Sequence, residues 1–251
     1  MVAWKGEVLM TLLENKHAVV YGAGGTVGQA VARAFASGGA RVSLAGRTRA
    51  TLDGLAREIH DEDGDVADIA QVDALDASAL DRHIGGLVDE VGGIDICFNA
   101  VGDEATLGPS LIELAFPDFV HPITRLVSAQ FLIATAVARQ MIERKSGVIL
   151  TMTGSGVPTA GMGGAMTAWA AVDALCGQLA RELGPFGIRV LWLRSNGVSA
   201  SGGDPAERER SMLHRLASPD DVGKVASFLA SDQAATMTAT AANITSGAEV
   251  G

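Results

Sequence analysis

The sequence predicts one α/β domain: a doubly wound parallel sheet of about seven strands with helices on both faces. Three observations carry this reading. Short β-branched runs alternate with longer stretches of helical periodicity from residue 17 to the end. Many of the 31 glycines stand where a strand run passes into a helical one, which suits tight, backbone-lined loops. No linker or shift in composition divides the 251 residues, so residues 1–251 are read as a single domain, a length that gives a full core.

HAVVYG (17–22) is the first strand, and VGQAVARAFASGG (27–39) is a helix that stops on a glycine pair. RVSLAG (41–46) is the second strand, and residues 48–64 form an amphipathic helix. DIAQVD (68–73) is the third strand, with a helix after it to about residue 91. IDICFNAVG (94–102) is the fourth strand, and a long helix is expected over 119–144. GVILTMT (147–153), a helix over 164–183 stopped by Gly184-Pro185, and IRVLWLR (188–194) follow. The run 218–231 has strong helix-start signals: Ser218 as N-cap, Pro219 at the first helical position and acids in the first turn. TATAANIT (238–245) closes the sheet. The least regular stretch, 195–213, follows the carboxyl end of a strand and is the expected substrate lid.

Hydrophobic residues make up 48% and charged residues 19%, the balance of a globular chain. The formal net charge of −10 repels a phosphate backbone, so nucleic acid is excluded as a partner, and the charge reads as a solvated acidic surface. Cys97 and Cys176 each sit in an apolar run and read as buried core residues. No metal-ligand spacing is present, so no metal is expected. The N-terminus lacks the basic and apolar regions of a leader. No run approaches the ~18 apolar residues of a membrane span. A reducing, cytoplasmic setting without membrane contact is expected.

After the first strand, Tyr21-Gly22-Ala23-Gly24-Gly25-Thr26-Val27-Gly28 makes a glycine-rich turn into a helix. Glycines let the backbone approach a pyrophosphate, and the helix N-terminus offers free N–H groups and partial positive charge. In this strand–turn–helix context the pattern reads as a Rossmann-type dinucleotide site, although a tight turn that binds nothing has the same residues. At the end of the second strand, a fold selecting NAD usually places an acid for the ribose 2′-hydroxyl. Here Gly46 is followed by Arg47 and Thr48. An arginine there can take the 2′-phosphate through charge-assisted hydrogen bonds, so NADP(H) is expected over NAD(H). The plainer reading, an exposed arginine at a helix start, suits Arg49 better than Arg47.

With these residues in view, the chain resembles the short-chain dehydrogenases/reductases over nearly its whole length. The turn at 22–28 is similar to the family's TGxxxGxG motif, with Tyr21 in place of the Thr and Thr26 in place of the middle Gly. Asp73 resembles the acid that borders the adenine pocket. Asn99-Ala100-Val101-Gly102 resembles the NNAG motif. ARELGPFGIRV (180–190), SPDDVGKVASFLASD and NITSG resemble later landmarks. The resemblance implies that Gly22, Gly24, Gly25, Thr26, Val27, Gly28, Arg47, Thr48, Asp73, Asn99, Ala100 and Gly102 hold the cofactor. It also implies a homodimer or homotetramer, built through the long helix and the Ala-rich helix at 164–183.

In that family a Ser, a Tyr and a Lys, usually with an Asn, carry the proton chemistry. Registered on ARELGP, Ala165 falls on the Tyr position and Trp169 on the Lys position. The only tyrosine is Tyr21, and no lysine lies between Lys145 and Lys224. The Asn position lies near Leu126. Thr153 and Ser155 are the candidate hydroxyl groups near the Ser position, though strand-end hydroxyls commonly bond backbone instead. Trp169 reads equally as core packing or as a bulky group crowding the ribose site. His121 and Arg125 lie near the start of the long helix, His121 as a helix-start residue beside Pro122. Asp103, Glu104 and Asp173 read as lone solvated acids.

Three functions stay open. The chain is read first as an atypical NADP(H)-dependent oxidoreductase acting on a small carbonyl or hydroxyl compound. The second reading is a catalytically silent binding or regulatory subunit paired with an active homologue. The third is a non-redox enzyme reusing the pocket. Pocket walls drawn from 103–116, 154–164 and 195–213 are mostly small or apolar, so the ligand is apolar or weakly polar.

Overall fold

The computed structural model describes residues 11–62, 64–203 and 205–250. The N-terminal stretch read above for a leader lies mostly outside the described residues, as do position 63 of the second helix and position 204 of the lid. The strands are β1 (His17–Tyr21), β2 (Arg41–Gly46), β3 (Asp65–Gln71), β4 (Ile96–Asn99), β5 (Gly147–Gly154), β6 (Ile188–Ser195) and β7 (Thr240–Asn243). The helices are α1 (Thr26–Ser37), α2 (Arg49–Asp61), α3 (Ala77–Val91), α4 (Phe116–Arg144), α5 (Ala165–Leu183), α6 (Pro205–Glu209) and α7 (Pro219–Ala230).

The seven strands form one sheet in the order β3-β2-β1-β4-β5-β6-β7. Every neighbouring pair is parallel. A parallel sheet is covered on both sides, so its inner strands need apolar residues on both faces. β1 and β4 show this, being buried at every position. On one face α3, α4 and α5 pack around Cys97, Ile133, Ile149 and Val190. On the other, α1, α2 and α7 pack around Val20, Leu44, Phe98, Leu150 and Leu191. The chain leaves β3 at one edge and re-enters beside β1 as β4, so the strand order reverses between β1 and β4. A crevice at the carboxyl ends of strands beside such a reversal is where open α/β sheets bind ligands.

The expected elements are present, with shifted ends. β3 begins at Asp65 instead of residue 68, because it pairs with β2 from Arg41 onward and Arg41 holds Asp65 at 2.9 Å. β4 stops at Asn99 instead of running to residue 102: the Asn99 side chain accepts the Val101 N–H at 3.0 Å and turns the chain out of the sheet. α4 begins at Phe116, three residues early, with Pro117 in its first turn, where a missing N–H costs nothing. His121 is therefore inside a helix that has already started. α7 has the expected start, with Ser218 and Asp221 exchanging side-chain and backbone hydrogen bonds. Its last carbonyls are taken by Arg189, which donates to Leu229, Ala230 and Ser231.

The expectation that no run is long and apolar enough for a membrane span needs correction. α4 is long and apolar enough by length and composition. Its inner face, with Leu126, Ile133, Val137 and Met141, is buried in the core of the domain.

α1 and α7 pack closely because Gly223 presents no side chain: a Cβ there would come within 2.8 Å of the Ala30 carbonyl and the Ala34 methyl. Gly223→Leu should destabilise the fold by about 1–3 kcal/mol through overpacking, read as a lowered urea midpoint with an unchanged m-value.

Candidate active site

Two adjoining cavities open along the carboxyl ends of the strands. The first, of about 300 Å³, runs from the glycine-rich turn past Gly46, Arg47 and Thr48 to Val72, Asp73 and Ala74. The second, of about 700 Å³, lies over the ends of β4, β5 and β6. Ala100, Val101 and Gly102 line both, so the two form one continuous trough.

The turn that floors the first cavity is built by absent side chains. Gly22 is left-handed at φ +75°, and a Cβ on it would strike the Ala100 carbonyl. A Cβ on Gly28 would collide with the Gly22 carbonyl, so only glycine lets the start of α1 sit on the turn. Gly24 and Gly25 line the first cavity and Val27 the second, while Thr26 is the first residue of α1. Arg47 and Thr48 stand on the opposite wall, with Asp73 exposed at the far end. Asn99 is buried and its amide is spent inside the protein: Nδ2 donates to Gln130 Oε1 at 2.8 Å, and Oδ1 holds the Val101 N–H. It shapes the Ala100–Gly102 wall.

Below this wall, the Tyr21 hydroxyl bonds His83 Nδ1 at 3.0 Å, and His83 Nε2 bonds Asp68 at 3.1 Å. A neutral ring donating to Asp68 and accepting from Tyr21 satisfies both contacts. Burial pushes the Tyr21 phenol well above its usual range, so the only tyrosine of the chain stays a neutral phenol.

The second cavity holds the two hydroxyl candidates in different states. Thr153 is buried and donates to Asp173 at 2.9 Å, so its proton is committed. Ser155 lies on the cavity wall, and its oxygen accepts the Val157 N–H at 3.2 Å, which leaves its own proton free to donate. Ala165 is buried at the start of α5. Trp169, one turn on, forms part of the cavity wall, and its Nε1–H donates to Asp103 at 2.8 Å. Its ring lies over Gly154, where any side chain would collide with the indole. Trp169 thus does both: it packs against the core beneath α5, as expected, and presents a hydrogen-bonded wall to the cavity. Leu126, at the expected Asn position, also lines this cavity.

The reading of Asp103, Glu104 and Asp173 as lone solvated acids is overturned. Asp103 accepts from Trp169. Glu104 Oε1 lies 2.9 Å from both Arg47 and Arg125, and Oε2 lies 4.0 Å from His121. Asp173 pairs with Arg194, whose other terminal nitrogen reaches Glu249 at 3.0 Å. Glu249 also accepts the Gly156 N–H at 2.9 Å, which ties the C-terminal end to the loop after β5. These partners stand far apart along the chain, 66 residues for Asp103 and Trp169 and 55 for Arg194 and Glu249. No local spacing could announce them. The walls expected from 103–116, 154–164 and 195–213 do contribute, through Leu107, Val157, Met162 and Val198, and Met166 and Trp169 are added from α5.

Residues 22–249 match the family model described as enoyl-(acyl carrier protein) reductase. D-threitol dehydrogenase of Mycolicibacterium smegmatis is 30% identical over 234 residues, covering 89% of this chain and 88% of that protein. This chain belongs to the short-chain dehydrogenase/reductase family. The 2,3-dihydro-2,3-dihydroxybenzoate dehydrogenase of Bacillus subtilis is 28% identical, covering 90% of this chain and 93% of its own length. A crystal structure of a short-chain type dehydrogenase/reductase from Mycobacterium marinum superposes with a TM-score of 0.88 at 26% identity, over 97% of this chain and 99% of that one. The fold expected from the sequence is that of the family, and the oxidoreductase relationship stands with it.

The His83 hydrogen bond holds the Asp68 carboxyl below the usual carboxylate range. A depressed folded pKa contributes stability that is complete above the unfolded value, about pH 4, and is lost as pH falls through the folded value. The stability advantage of the wild type over Asp68→Asn should therefore shrink steadily as pH is lowered from 5 to 2, measured by urea unfolding at each pH.

Proposed function

We propose that this short-chain dehydrogenase/reductase is an NADP(H)-binding oxidoreductase with a non-standard proton-transfer site, acting on a small, apolar or weakly polar carbonyl or hydroxyl compound. The observation that carries the reading is the continuous trough. It leads from Arg47 and Asp73, past the glycine-rich turn and the start of α1, into an apolar chamber lined by Ser155, Trp169 and Val198. The residues fit a dinucleotide. The glycines at 22 and 28 leave backbone where a Cβ would stand, and the N-terminus of α1 faces the cleft for a pyrophosphate. Arg47 and Thr48 stand where a ribose 2′-phosphate would be read, Asp73 beside the adenine, and Ala100 and Gly102 along the intervening wall. When bound, the nicotinamide supplies or accepts a hydride.

The chain's own part is to orient a substrate carbon in the second cavity, to exclude water with Leu107, Met162, Met166 and Trp169, and to move a proton. Ser155 is the group placed for the last role, since its O–H proton is uncommitted. Thr153 is the weaker candidate because Asp173 holds its proton. The segment 195–213, with α6 and with Glu207 and Arg210 on the cavity wall, serves as the lid. The reading includes a single domain over 1–251, a cytoplasmic location in keeping with two buried, unbridged cysteines, and a homodimer or homotetramer through α4, which exposes Phe131, and α5.

One observation favours a second reading, a catalytically silent nucleotide-binding subunit. Trp169 stands at the Lys position and is fixed to Asp103, while Ala165 at the Tyr position carries no acid.

Titration of the purified protein with NADPH and NADH, followed by turnover with a panel of small ketones and alcohols, separates the two. Arg47→Met should weaken NADPH binding about ten- to hundredfold while NADH binding changes little. Ser155→Ala should lower kcat on the order of a hundredfold at unchanged NADPH affinity, with Thr153→Ala the milder change. NADPH binding without turnover of any compound moves the assignment to the silent subunit. Binding of neither nucleotide removes the oxidoreductase reading.

A further inference from the structure

Arg47, Glu104 and Arg125 form an ion-paired cluster on the wall of the first cavity. Arg47 comes from the end of β2 and Arg125 from α4, on opposite sides of the cleft, and Glu104 sits on the segment after β4. The two guanidinium groups converge on a single oxygen, Glu104 Oε1, each at 2.9 Å. Arg125 is anchored for this: its side chain is only 11% exposed and its Nε–H donates to the Gly102 carbonyl at 3.1 Å. Glu104 itself is held at a cost, with a left-handed backbone at φ +54° that a non-glycine residue rarely adopts.

One oxygen with two guanidinium donors aimed at it from opposite walls is the geometry of an oxyanion site. The carboxylate that fills it belongs to the chain, and all three residues line the cleft that the proposed function assigns to the adenosine end of NADP(H). We infer that Glu104 is a built-in competitor for the ribose 2′-phosphate, and that Arg125 is a second phosphate reader opposite Arg47. The inference rests on the dinucleotide reading of the first cavity. A 2′-phosphate carries more charge and more acceptor oxygens than a carboxylate, so it takes the two arginines when it enters, and the Glu104 side chain swings into solvent. A nucleotide without that phosphate leaves the cluster intact. Glu104 therefore sets the discrimination between the two: with it, the phosphate must displace an ion pair before it is read, and without it the phosphate meets two free guanidinium groups.

The test uses the full-length protein and calorimetry with adenosine 2′,5′-bisphosphate and with 5′-AMP, which need no turnover. Glu104→Gln keeps the shape and removes the charge, and Glu104→Gly removes both the charge and the backbone strain. Either should tighten the bisphosphate on the order of tenfold and leave 5′-AMP within about twofold. The gain should shrink as salt is raised from 50 to 500 mM. Adding Arg125→Gln to Glu104→Gln should abolish the gain. A wild type that binds the bisphosphate, with both Glu104 variants unchanged or with both ligands tightened equally, overturns the competitor role while leaving the dinucleotide reading intact. Failure of every variant to bind either nucleotide overturns the dinucleotide reading itself, and this inference falls with it.

Discussion

The contact between Gly28 and the Gly22 carbonyl sets how closely α1 can approach the turn after β1, and the whole trough is laid out from that approach. With no side chain at position 28 the first turn of α1 lies on the loop, and the residues at its start, Gly25 and Val27, line the trough. Gly22 in turn touches the Ala100 carbonyl, which brings the segment after β4 to the same place. That segment is the shared wall of both cavities, and it carries Asp103 and Glu104 onward to Trp169 and the arginines. Three short stretches of backbone, held together by two missing Cβ atoms, thus decide where every later side chain of the site can reach.

What they reach is largely each other. Around the second cavity Asp103 is taken by Trp169, and Asp173 and Glu249 share Arg194. Partly buried charges of this kind need partners, since desolvation otherwise outweighs whatever they gain. The chamber is consequently left with apolar walls and few free polar atoms. Among those few is the Ser155 proton. A ligand that offers one hydroxyl or carbonyl and an otherwise apolar body matches such a surface better than a highly charged one.

Sequence patterns made the sheet, its strand count and the glycine-rich turn legible because those depend on local periodicity and on backbone chemistry that glycine advertises. The capping box at Ser218 was readable for the same reason. Strand ends were less so: β4 stops at Asn99 because of one side-chain turn, which an apolar run through residue 101 conceals. The missing Tyr and Lys were visible as letters at 165 and 169, but what replaces them was not. That Trp169 needs glycine at 154 and an acid at 103 is a relation among β5, α5 and the segment after β4. Such a relation exists only once the strands lie in order. Asp103, Glu104 and Asp173 read as solvated acids for this reason: their partners lie on other elements, and nothing in the neighbouring residues points to them.

The burial of both thiols has a practical consequence. Cys97 is wholly enclosed and burial raises its thiol far above the range of a reactive cysteine, while burial pushes Cys176 up to about 12. At neutral pH neither offers a thiolate to an alkylating reagent, and the sequence contains no other cysteine. The native chain is therefore already a silent background for site-specific labelling. A spin label or fluorophore attached through one introduced cysteine at an exposed position such as Thr106 would report on the segment after β4 alone, with no need to strip the protein of its own sulfur.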